Sequence, residues 1–174
     1  MSHREFNEEH IPLAYLITFR PFGTWLHGDE RGTVDRFNNQ YGTPRIVPNE
    51  NWLRHNTRSL NRPPVLLDAA RRDSIKAAIN ETCTIRNWLL HAINVRTNHV
   101  HSVVSAGCQP KGILNAFKAN ATRKMREAGC WSSSESPWAL KGSKRYLWSE
   151  GSVGAAIEYV LFGQGDDLPS FDDE

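Results

Sequence analysis

The chain has 174 residues, enough to bury a real core in one domain. Hydrophobic residues make up 39% and charged residues 23%, which fits a globular domain and excludes a low-complexity or disordered chain. The formal net charge of +2 does not by itself imply nucleic acid, but five acids crowd the last nine residues and leave the body distinctly basic. No apolar run is long enough to cross a membrane, and the charged N-terminus lacks the apolar core of a signal peptide, so a cytoplasmic location is expected. Cys83, Cys108 and Cys130 are widely spaced and form no Cys-x-x-Cys pair, which argues against a zinc finger or a disulfide framework.

In chain order, residues 1–12 read as a flexible polar lead-in. Leu13 to Arg20 is rich in β-formers and predicts a first strand, ended by Pro21 and Gly23. The polar, glycine-punctuated stretch 24–32 predicts a loop. Residues 33–64, with four prolines, predict a long irregular excursion with one helical turn near Asn51 to His55. Its arginines Arg45, Arg54, Arg58 and Arg62 suit phosphate contact and solvated surface equally.

Leu67 to Trp88 predicts a helix capped by Asp68, with Ala69, Ile75, Ala78, Ile79, Cys83 and Ile85 near helical spacing. Leu89–Val95 and His99–Ala106 predict two strands joined as an antiparallel hairpin through Arg96-Thr97-Asn98. Lys111 to Glu127 predicts a basic amphipathic helix, with Ile113, Leu114, Phe117, Ala121 and Met125 on its apolar face and Gly129 as its stop. A serine-rich loop follows, then a short basic-aromatic strand, Lys144 to Trp148. Ser152 is placed to cap a last helix from Val153 to about Phe162, and 165–174 reads as an acidic disordered tail. This order predicts an α+β fold of the ferredoxin-like (RRM-like) type. Its antiparallel sheet carries helices on one face and is followed by a C-terminal tyrosine-bearing helix.

Two stretches carry candidate chemistry. In Asn98-His99-Val100-His101, strand alternation puts His99 and His101 side by side on one face, where two imidazoles can hold one divalent metal. Alone, a His-x-His is more often a pair of ordinary half-exposed strand histidines. Tyr159 is a phenol on an otherwise apolar helix, where a core or interface tyrosine is the plainer reading. Neither stretch specifies a function alone.

Taken together, several stretches resemble the single-tyrosine HUH transposases, and more closely the REP-associated tyrosine transposases. These are Thr18 to Gly32, the His-x-His itself, Phe117 to Arg126, Leu147 to Gly151 and Tyr159 to Gln164, spanning roughly 13 to 166. The resemblance implies one domain over 13–164. It implies a single-strand DNA endonuclease and strand transferase working through a 5′-phosphotyrosine. Tyr159 would be the nucleophile, and His99 and His101 the ligands of Mg²⁺ or Mn²⁺. A phenol with an ordinary pKa of about 10 needs help to ionise at neutral pH. The family's further ligand is a glutamine about four residues, one helical turn, past the tyrosine. Here Gln164 stands five on, so a bulge or a helix end at Gly163 is needed to align it. The implied partner is single-stranded DNA with a hairpin or palindromic repeat, bound by a monomer or homodimer.

The DNA-binding candidates are Lys118, Arg123 and Arg126 on the basic helix, Lys144 and Arg145 before Trp148, and Trp25 as a base-stacking ring, with Trp148 and Phe22 as further rings. The alternative is a domesticated module with the same fold that binds nucleic acid and cuts nothing. An unrelated zinc hydrolase lacks a third nitrogen or sulfur ligand at suitable spacing.

Overall fold

The structure is a computed structural model and describes residues 10–24 and 48–163. Among these it contains strands β1 (Ala14–Phe19), β2 (Leu89–Val95), β3 (Val100–Ser105) and β4 (Ser143–Leu147). The helices are α1 (Glu50–Arg58), α2 (Ala69–Arg86), α3 (Pro110–Glu127) and α4 (Glu150–Phe162). The four strands form one sheet in the order β2-β3-β1-β4, with every neighbouring pair antiparallel. With α2 between β1 and β2 and α3 between β3 and β4, this is the split βαβ order expected of the α+β class.

Strand alternation divides the core. Tyr15, Ile17 and Phe19 of β1, with Val100 and Val104 of β3, face a layer made by α2 and α3. Ile75, Ala78, Ile79 and Cys83 of α2 meet Ile113, Leu114, Phe117, Ala121 and Met125 of α3 in that layer. The predicted α2 stripe overreaches at both ends: Ala69 opens the helix and Ile85 lies in its last turn, and both stay exposed. The intervening residues Ala14, Leu16, Ala92, Val103 and Leu147 face the other way, onto Ala156 and Val160 of α4. Among the described residues the sheet is thus a central layer, with α2 and α3 packed on one face and α4 on the other.

Local signals set the boundaries. The Asp68 carboxylate accepts a bond from the Arg71 backbone N–H at 2.9 Å and starts α2. Asn87, at φ 55°, ends that helix in the left-handed conformation that asparagine tolerates. Helix α4 begins earlier than predicted. Ser149, not Ser152, is its cap, and the Ser149 hydroxyl accepts from the Ser152 backbone N–H at 3.1 Å. Within the excursion, α1 is longer than the single turn predicted, because Asn49 caps it and Glu50 pairs with Arg54 one turn on at 2.7 Å. The rest of the excursion up to residue 47 lies outside the described residues, as do the lead-in 1–9 and the tail from 164.

Candidate active site

One row of the sheet builds the site. Asn94 of β2, His101 of β3, Thr18 of β1 and Ser143 of β4 stand opposite one another across all four strands. His101 is 4% exposed and lies on the α4 face, two residues before Val103 of the α4-facing core. The Thr18 hydroxyl meets His101 Nδ1 at 2.7 Å. His99, just before β3, sets its ring 4.6 Å from that of His101 at 62°. The Nδ1 of His99 is 2.7 Å from Asn98 Oδ1. On the other side of His101 the Tyr159 ring stands 5.5 Å away at 73°. The three rings therefore form one cluster, His99–His101–Tyr159, contributed by the start of β3 and the last turn of α4.

Helix α4 is fastened where Tyr159 sits. The Asn94 amide donates to the Val160 carbonyl at 2.9 Å, joining β2 to the last turn of the helix. Gly163 ends the helix, its N–H bonding the Tyr159 carbonyl at 2.9 Å. A Cβ on Gly163 would lie 3.0 Å from Tyr159 Cδ2, so the small residue leaves the phenol ring its room. A helix end at Gly163 is one of the two arrangements the Gln164 spacing requires. Gln164 itself lies outside the described residues.

Burial, and then the neighbouring charge of His99, push the His101 pKa down to about 3. His101 is therefore neutral at physiological pH, the form in which an imidazole ligates a metal. Each histidine is oriented through Nδ1 by an oxygen, as metal-ligating imidazoles commonly are. The pair thus fits two nitrogen positions of a divalent-metal site whose other ligands would be oxygens. Among the described residues, no group of three or more His, Cys, Asp or Glu is gathered to hold a metal.

The predicted basic residues divide by face. Arg145 stands opposite Leu16, on the α4 face and half-buried. Lys144 is exposed on the opposite face, beside Ile17 in register. Lys118, Arg123 and Arg126 lie on α3, across the sheet from the ring cluster, and all three are engaged. Lys118 donates to the carbonyls of Ala139 and Lys141 at 2.8 and 3.1 Å. Arg123 pairs with Glu81 at 2.6 Å and with Glu127, and Arg126 reaches the Ser133 carbonyl at 3.1 Å. Trp25 lies outside the described residues. Phe22 lies beneath the Arg62 guanidinium at 3.8 Å, and Arg62 also pairs with Glu135 at 2.7 Å.

Sequence reasoning did not single out Thr18 and Asn94 as site residues. Thr18 is an aliphatic hydroxyl in an otherwise apolar or aromatic strand, and Asn94 an amide in a strand whose one other polar residue is His91, which is a faint signal. Only the strand register turns them toward His101 and α4.

Comparison with known proteins adds the following. A family model described as IS200-like transposase matches residues 57–153, more than half of the chain and including both histidines. No curated protein matches the chain significantly. Two solved structures are similar. One is a REP-associated tyrosine transposase bound to a REP hairpin, 9% identical, with a TM-score of 0.48 over 94% of this chain and 72% of the other. The second is a candidate transposase from Deinococcus radiodurans, 15% identical, with a TM-score of 0.47 over 96% of this chain and 99% of the other.

Proposed function

The chain belongs to the family of IS200-like transposases, and from that premise we propose that it cuts and rejoins single-stranded DNA through Tyr159. The observation that carries this reading is the packing of the Tyr159 ring 5.5 Å from His101, with His99 4.6 Å beyond, within a single chain.

In this reading the Tyr159 oxygen attacks the scissile phosphorus and displaces the 3′-oxygen. The products are a 5′-phosphotyrosine and a free 3′-hydroxyl. One phosphoester is exchanged for another, so a 3′-hydroxyl can later attack the phosphotyrosine and rejoin strands without ATP. His99 and His101 would hold Mg²⁺ or Mn²⁺. Such an ion, when bound, polarises the phosphate and offsets the charge that develops on it.

The protein's own groups do the positioning. Thr18 and Asn98 fix the two imidazoles. Asn94 and Gly163 fix the turn of α4 that carries the phenol. Gln164, just past that turn, is a proposed oxygen ligand. Arg145, on the same sheet face, is proposed to take a backbone phosphate of the strand. The proposed substrate is single-stranded DNA that folds into a hairpin, the class implied by the sequence resemblance.

The test is a covalent adduct. Labelled single-stranded hairpin DNA is incubated with the protein and Mn²⁺ or Mg²⁺ and run on a denaturing gel. The reading expects a protein–DNA band that Tyr159→Phe abolishes while DNA binding persists. Tight hairpin binding with no adduct from the wild-type chain would overturn it in favour of a non-cleaving binding module.

A further inference from the structure

Among the described residues, strand β4 is an edge of the sheet, paired only with β1. Alternation puts Lys144 and Tyr146 on one of its faces, and Trp148, just past the strand, continues that row. This is the α3 side of the sheet, opposite to Arg145 and Leu147. The rings of Tyr146 and Trp148 stack with centroids 5.8 Å apart and planes 17° apart. His10 stacks on Trp148 at 4.6 Å and 13°. The inner end of this ladder is anchored, because Tyr15 in the core meets Tyr146 edge-on at 5.2 Å. Its outer end, His10, is exposed.

At the other end of the row the charge is positive. Lys144 is exposed, and half-buried Lys118, whose ammonium bonds the Ala139 and Lys141 carbonyls just before β4, feels its charge and that of Arg20. Burial first, and then these two cations, depress the Lys118 pKa. Neither Lys118 nor Lys144 has an acidic partner among the described residues. A cationic cluster of this kind is relieved by an anion.

We propose that this edge is a track for an unpaired DNA strand, with a backbone phosphate at Lys144 and Lys118 and a base stacked on the Trp148–His10 end of the aromatic ladder. Four residues of strand, about 13 Å, separate the two ends. A phosphate and a π-face are what each nucleotide of a single strand offers together, whereas a duplex hides its base faces. The track rests on the reading of single-stranded DNA as substrate. It lies around the edge of the sheet from Tyr159, so it would hold DNA flanking the cut and not the scissile phosphate.

The experiment measures affinity of the full-length chain for a short single strand and for its duplex across a salt series. An oligonucleotide carrying 5-iododeoxyuridine is then photo-crosslinked and the adduct mapped by peptide mass. Trp148→Leu is expected to lose roughly five- to hundredfold in single-strand affinity, and Trp148→Phe to keep most of it. Lys144→Ala, at an exposed site, is expected to lower the salt slope by about 0.7. Crosslinks are expected at Trp148 or His10. Single-strand binding with an unchanged salt slope in Lys144→Ala and crosslinks elsewhere overturns the track and leaves the transferase reading standing. A wild-type chain that binds no single strand overturns both.

Discussion

The Thr18 hydroxyl and His101 Nδ1 stand 2.7 Å apart across the β1–β3 ladder, directly opposite in register. The bond fixes the rotation of a buried imidazole that is proposed to hold the metal. Thr18→Val keeps the shape and removes the oxygen. Loss of such an orienting partner typically costs 10- to 100-fold in metal affinity. We expect Mn²⁺ binding, followed by calorimetry or electron paramagnetic resonance, to weaken by about that factor in Thr18→Val and to recover in Thr18→Ser. Equal Mn²⁺ affinity in the wild type and Thr18→Val would show that the hydroxyl only packs.

Asn94 reaches out of β2 to the Val160 carbonyl, one residue past the candidate nucleophile. Asn94→Ala removes the bond and leaves that carbonyl to water. A cost of about 1 kcal/mol in chemical denaturation is expected. The rate of adduct formation should fall further than stability does, since the last turn of α4 loses its tether. An unchanged adduct rate would mean that core packing alone positions Tyr159.

Gly142 lies where β4 begins, and a Cβ there would sit 2.7 Å from the Thr18 carbonyl oxygen and 3.0 Å from the Leu114 methyls. Backbone cannot step aside as a flexible side chain does. Gly142→Ala should therefore destabilise the protein by about 1–3 kcal/mol. Thermal unfolding with an unchanged midpoint would contradict the close approach.

Ser102 is fully buried between Ile17 and Ile93 in register, and its hydroxyl has no hydrogen-bond partner among the described residues. A buried hydroxyl with its hydrogen bond unmade carries its desolvation cost uncompensated. Ser102→Ala is expected to be neutral or to stabilise by up to about 1 kcal/mol. A clear loss in denaturant titration would reveal a partner for the hydroxyl.

The Glu81 carboxyl is held below its ordinary pKa of 4.5, first by the bond from the Asn120 amide and then by Lys124, with Arg123 adding its charge. Its folded-state pKa is thus lower than its unfolded one. The linked stability is present above the unfolded value and drains away as pH falls through the folded one. The wild-type melting temperature should accordingly fall more steeply below about pH 4.5 than that of Glu81→Gln. Parallel profiles would remove Glu81 from the α2–α3 contact as a pH-dependent element.

Much of this architecture is written locally. The Asp68 cap and the spacing of Ile75, Ala78, Ile79 and Cys83 determined α2. The apolar face from Ile113 to Met125 determined α3. The short turn after Val95 determined the hairpin that ends in the histidines. These features depend on periodicity and on capping within a few residues, so the chain states them without its tertiary partners. The His-x-His pair was legible for the same reason, since alternation alone places both imidazoles on one face.

Tertiary structure decided the rest. Which face α4 covers, and therefore whether Tyr159 meets His101 at all, depends on Ala156 and Val160 finding Leu16, Ala92 and Val103, residues distant in sequence. The register that sets Thr18 and Asn94 beside His101 arises from pairing between separate strands. The packing of α3 on the Tyr15–Ile17–Phe19 face put Lys118, Arg123 and Arg126 on the far side of the sheet, while register kept Arg145 on the face of the rings. A basic residue reads alike on any face of an isolated helix or strand. Only the packing of that element against the rest of the chain decides which charges a bound strand can meet.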